Sequence, residues 1–205
     1  MVSSTLGPDK HVLRQIRRVQ ALTIVWMSVE AAVSLVAAWA AHSPALLAFG
    51  GDSAIELLSA AVVLWAFTHR VNIHNKEKRA ARVAGILLFV LAGYVTVIST
   101  MALLGYSEPE PSYAGIVILI AAAAIMPWLA KQKRKLSATT GSAALRADAA
   151  QSDLCAYLSA IALIGLSVNA ILHVSWADPV AALAVTPLIL WEGKEAVRGK
   201  SCNCC

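Results

Sequence analysis

Residues Ser43–Phe67 read SPALLAFGGDSAIELLSAAVVLWAF. The run is apolar and long enough to cross a bilayer, whose hydrocarbon core takes about 20 helical residues. Asp52 and Glu56 interrupt it near its middle, four residues apart. On an α-helix that spacing stacks both carboxylates on one face. An ionised carboxylate is costly at the bilayer centre, and two side by side repel unless a cation or a proton sits between them. The stretch therefore predicts a transmembrane helix that carries a divalent metal ion, with the other helices arranged to surround and move it.

The rest of the chain fits that reading. Of its 205 residues, 59% are hydrophobic and 14% charged, well below the charge of a soluble domain of this size. The mean hydropathy is +0.68. The net charge of +5 comes from short basic clusters between apolar runs, a pattern that reports membrane topology rather than nucleic-acid binding. Arg14, Arg17 and Arg18 precede the apolar run Leu22–Ala41. That run is longer than a signal-peptide core and contains Glu30, so it is expected to stay as the first helix.

Six spans follow, giving an all-α polytopic membrane protein: about 21–41, 44–67, 83–104, 113–130, 143–172 and 178–191, the last expected to continue as helix through Glu192–Arg198. A short surface helix is expected over 10–18 and a basic loop over 69–82. Pro127 is expected to bend the inner end of the fourth span. Residues 1–20 read as a basic cytoplasmic segment, 21–198 as the six-helix transport domain and 199–205 as a cysteine-rich tail. All 17 Lys and Arg lie in the N-terminal segment, the two basic links, the inner end of the fifth helix or the tail. The links around His42–Ser43, Gly105–Ser112 and His173–Ala177 have none. One-sided positive charge on an even number of spans places both termini in the cytoplasm of a cell-membrane protein.

The acidic residues within the spans are Glu30, Asp52, Glu56, Asp148, Asp153 and Asp178. No Lys or Arg falls at mid-depth, so a buried salt bridge is not expected there. Glu30 suits either a proton-coupling role or a protonated, hydrogen-bonded structural one. On the fifth helix Asp148, Ser152, Cys155 and Ser159 share one face, whereas Asp153 lies well round from Asp148. Spacing leaves open which aspartate faces the second helix. Asp148 and Asp153 stand as candidate ligands beside Asp52 and Glu56, and so does Cys155, although a cysteine in such a run is more often a small core residue. Oxygen ligands alone favour hard ions, and a thiol shifts preference toward Zn²⁺ and softer ones. The tail SCNCC offers Cys202, Cys204 and Cys205 as an accessory metal site, as sites of palmitoylation, or as an end without a role.

Three stretches resemble the cation diffusion facilitator family of metal transporters. ALLAFGGDSAIELLSA (Ala45–Ala60) is similar to its second helix, RADAAQSD (Arg146–Asp153) to the start of its fifth, and WADPVAALAVTPLILWEG (Trp176–Gly193) to its sixth. The resemblance covers about 15–198. It implies that Asp52 and Glu56 hold the ion and that Asp153 is the helix-five ligand. Two departures stand out. The position four before Asp153, often His in zinc carriers, is Ala149, and only fourteen residues follow Trp191, too few for the family's soluble C-terminal domain. The resemblance further implies a homodimer that alternates its access and exports a divalent ion of the Zn, Mn, Fe, Co or Cd class against protons. The ion and protons are then cargo. No permanently bound cofactor, nucleic-acid partner or enzymatic activity is expected. The alternative reading is a non-transporting membrane sensor or buffer acting through the cysteine tail.

Overall fold

The computed structural model describes residues 10–68, 73–140 and 143–198. Over these the chain forms six helices and their connections: α1 (Lys10–Ala41), α2 (Pro44–Thr68), α3 (Ile73–Leu103), α4 (Tyr113–Thr140), α5 (Ala143–Leu172) and α6 (Ala177–Arg198). Stretches of α1, α3, α4 and α5 are long and apolar enough to cross a membrane. The expected all-α polytopic membrane architecture is what the chain adopts.

Where the helices start and stop differs from the apolar runs in an instructive way. α2 and α5 end within a residue of expectation. α1 runs unbroken from Lys10, absorbing the separate surface helix. α3 begins at Ile73, inside the expected basic loop, and α4 continues through Pro127 to Thr140 rather than stopping near Ala130. Hydropathy marks only the lipid-crossing part of a helix. Lys, Arg, Gln and Ala are good helix formers, so the helix continues past the boundary.

The three links without Lys or Arg meet at one end of the bundle. α1 stops at His42, whose φ of 50° is left-handed, with Ser43 N donating to Ala38 O at 3.1 Å. This is the six-to-one bond of a Schellman ending. Glu110 N donates to Ala41 O at 2.9 Å, and Asn169 Nδ2 donates to Pro109 O at 3.0 Å, tying the α3–α4 link to the ends of α1 and α5. Ser43 then caps α2, its Oγ accepting from Leu46 N at 3.1 Å. Asp178 of α6 completes the cap by accepting from Ser43 Oγ at 2.5 Å and from Ala45 N at 3.0 Å. A carboxylate suits the positive end of a helix, and this one sets α6 in register with α2.

α2 packs against α1, α3, α5 and α6, which makes it the centre of the bundle. Ala45, Leu46, Ala48 and Phe49 at its start are fully buried and belong to the main apolar core with Leu119, Leu158 and Val185. α3 and α6 approach closely through Gly85 and Gly193. A Cβ on Gly85 would lie 2.7 Å from Gly193 O and 2.6 Å from a Val197 methyl. Outward faces are apolar, as lipid contact requires. Trp39, Tyr106, Tyr113 and Trp176 are exposed around the linked end. Trp128 and Trp191, also exposed, lie about 20 Å further along their helices. Two such aromatic levels are what membrane interfaces select.

Candidate metal centre

Asp52 and Glu56 stack one turn apart on the inward face of α2, as their spacing predicts, and both are buried. Cys155 of α5 meets them. Its Sγ lies 3.2 Å from Glu56 Oε2 and 4.0 Å from Asp52 Oδ2. One donor atom from each of the three lies within 4.8 Å of the other two. Asp52 Oδ1 and Glu56 Oε1 are buried without a hydrogen-bond partner. Bonds of ~2.0 Å to oxygen and ~2.3 Å to sulfur, opened to a tetrahedral angle, put O and S about 3.5 Å apart. The observed separations bracket that value, so the residues fit a small divalent ion. A thiolate with two carboxylates is a borderline donor set, better matched to Zn²⁺ and its neighbours than to Mg²⁺ or Ca²⁺.

The other helix-five candidates do not join the cluster. Asp153 forms an ion pair with Arg134 of α4. Asp148 accepts from Lys133 Nζ at 2.8 Å and from Gln20 Nε2 at 2.7 Å. The physical reason is the rotation of α5. With Cys155 turned to α2, Asp153 lies about 200° round the helix and faces α4. Asp148 does share the Cys155 face, but two turns nearer the basic end. There the helical continuation of α4 supplies Lys133.

Lys133 forms a buried ion pair nearer the basic end of the bundle than the mid-depth level at which none was expected. It is 1% exposed, paired with Asp148 and hydrogen-bonded to Ser152 Oγ at 2.9 Å. Glu30 of α1 is fully buried, and Ser53 Oγ donates to its Oε1 at 2.6 Å. Its Oε2 has no partner. Ser53 adjoins Asp52 in sequence, so the bond to Ser53 ties Glu30 to the helix that carries the two carboxylates. Cys202, Cys204 and Cys205 lie outside the described residues, as do residues 1–9 and the start of the basic loop.

Glu192 is the residue that sequence reasoning missed. Placed by hydropathy beyond the sixth span, it is instead buried, with its side chain against those of Asp52 and Glu56. A signal was available. Glu192 lies fourteen residues after Asp178, close to four full turns, so both share one face of α6. The Asp178–Ala45 contact levels the two helices. From it, Glu192 lies about 21 Å along α6 and Glu56 about 17 Å along α2.

Fold and site together define a helical membrane protein with a carboxylate–thiol cluster buried among its helices, the arrangement an ion carrier needs. A family model described as the cation efflux transmembrane domain matches residues 21–198, and the chain belongs to that family. No curated protein matches it. The likeness to cation diffusion facilitators read from three short stretches thus extends over nearly the whole helical domain, and the chain is by family a cation efflux transporter.

Proposed function

We propose that the protein exports a divalent transition-metal ion of the Zn, Mn, Fe, Co or Cd class across the cell membrane in exchange for protons. Asp52, Glu56 and Cys155 hold the ion. The observation that carries this reading is the burial of three ligand-type atoms within 4.8 Å of one another, two of the residues keeping a carboxyl oxygen free of hydrogen bonds. Each of those oxygens takes either a metal ion or a proton, so the two cargoes compete for the same atoms. Glu30, buried and hydrogen-bonded to Ser53 of α2, is the group suited to proton coupling. Exchange then needs only a change in which end of the bundle is open, as in other secondary carriers. Both termini at the cytoplasmic side and a homodimeric assembly complete the reading.

The test is uptake into proteoliposomes holding the purified chain, with and without an imposed pH gradient, for Zn²⁺, Mn²⁺, Fe²⁺, Co²⁺ and Cd²⁺ in turn. Flux of at least one ion that rises with the gradient and collapses when a protonophore removes it is the expected result. Flux indifferent to the gradient would remove proton coupling. No flux of any ion, with the protein shown to be inserted, would remove the transport reading.

A further inference from the structure

Glu192 has no part in the three-residue site, yet the geometry around it is that of a ligand. It is 8% exposed, and its side chain meets both Asp52 and Glu56. Two features hold it there. Gln151 Nε2 donates to Glu192 Oε1 at 2.8 Å, and Gln151 stands one turn before Cys155, so amide and thiol share a face of α5. Gly193, the next residue, lies against the α3 backbone, its missing Cβ being 3.1 Å from Gly85 O. That close approach fixes the end of α6 beside the cluster.

A structural role accounts poorly for a third carboxylate here. It adds like charge to two buried acids, where a glutamine or leucine would pack at less cost. The Lys133 ammonium is committed to Asp148 and Ser152. Asp52 Oδ1 and Glu56 Oε1 meanwhile remain unpartnered in side chains that are 0% and 6% exposed. Open donor atoms and an extra carboxylate thus converge at one buried place.

We infer that Glu192 is the fourth donor to the transported ion, completing a set of three carboxylates and one thiolate from α2, α5 and α6, with Gln151 as its positioning residue. The inference rests on the Asp52–Glu56–Cys155 reading. A four-donor set of oxygen and sulfur suits tetrahedral Zn²⁺ and Co²⁺. It also makes the ion a link between α6 and the α2–α5 pair, so that loading the site ties three helices together.

Co²⁺ titration of the purified full chain in detergent tests this, because bound Co²⁺ reports its thiolate ligand and its coordination geometry in separate absorption bands. Cys202→Ser, Cys204→Ser and Cys205→Ser provide the background, leaving Cys155 as the sole thiol. The parent should show a thiolate-to-cobalt charge-transfer band that Cys155→Ser removes. Glu192→Gln should keep that band, lose d–d intensity and weaken Co²⁺ binding by more than the roughly tenfold expected for removal of a hydrogen-bond partner of a ligand. Glu192→Asp keeps the charge but shortens the arm, so a ligand role predicts weakened binding there too. Gln151→Leu should weaken binding about tenfold. Parental affinity and d–d spectrum in both Glu192 variants, with the band still lost in Cys155→Ser, would overturn the fourth donor and leave the three-residue site standing. Absence of the band from the parent, or its survival in Cys155→Ser, would overturn the three-residue site and the inference with it.

Discussion

Asp153 and Cys155 are two residues apart on α5 and face different helices, and the account turns on which of them reaches α2. The thiol does, 3.2 Å from Glu56, while Asp153 pairs with the exposed Arg134. A surface-type pair of this kind contributes about 0–1 kcal/mol. Asp153→Asn is therefore expected to keep metal flux within about threefold of wild type and to leave thermal stability nearly unchanged, since a partly exposed ion pair is worth so little. Loss of flux in a folded Asp153→Asn protein would restore the ligand that the family resemblance implied. The Asp52–Glu56 pair was legible in the sequence because i, i+4 spacing fixes a shared face whatever surrounds the helix. The choice between Asp153 and Cys155 was not, because it depends on how α5 is rotated about its axis. That rotation is set by partners on α4, where Lys133 and Arg134 lie in a stretch that hydropathy reads as a loop.

At the level of elements, α2 occupies the centre and the others are held to it by caps and close crossings. Asp178 caps α2 from α6, and Gly85 lets α6 lie against α3 near the buried Glu192. A methyl group added at Gly85 meets backbone and side-chain atoms of α6 at 2.6–2.9 Å, contacts that require the helices to separate. Overpacking of this kind costs about 1–3 kcal/mol. Gly85→Ala should accordingly lower the thermal midpoint of the detergent-solubilised protein, and Gly93→Ala, whose added Cβ meets nothing within 4 Å, should not. Equal midpoints for the two variants would show that the α3–α6 crossing is looser than its geometry indicates. The number and order of the helices were readable from apolar runs. The ends of α1, α3 and α4 were not, since these helices extend through basic residues that favour helix as readily as they favour water. Glu192 was lost for the same reason: it lies past the apolar part of α6, yet register with α2 carries it into the bundle.

For the whole molecule, charge and aromatic side chains give a consistent orientation. Links free of Lys and Arg gather at one end, ringed by Trp and Tyr, while the basic stretches of α1, α3 and α4 extend from the other. The acidic cluster lies between, within a bundle whose family is shown by the match over residues 21–198. On the proposed reading the ion and the protons share the Asp52–Glu56–Cys155 cluster, so a single centre should govern transport. The measurement that tests this most directly is metal flux into proteoliposomes for Asp52→Ala and Glu56→Ala beside wild type, with insertion and folding checked in the same vesicles. The account predicts that each variant inserts normally and loses flux to the level of empty liposomes. Wild-type flux in both would mean that the ion crosses by another route.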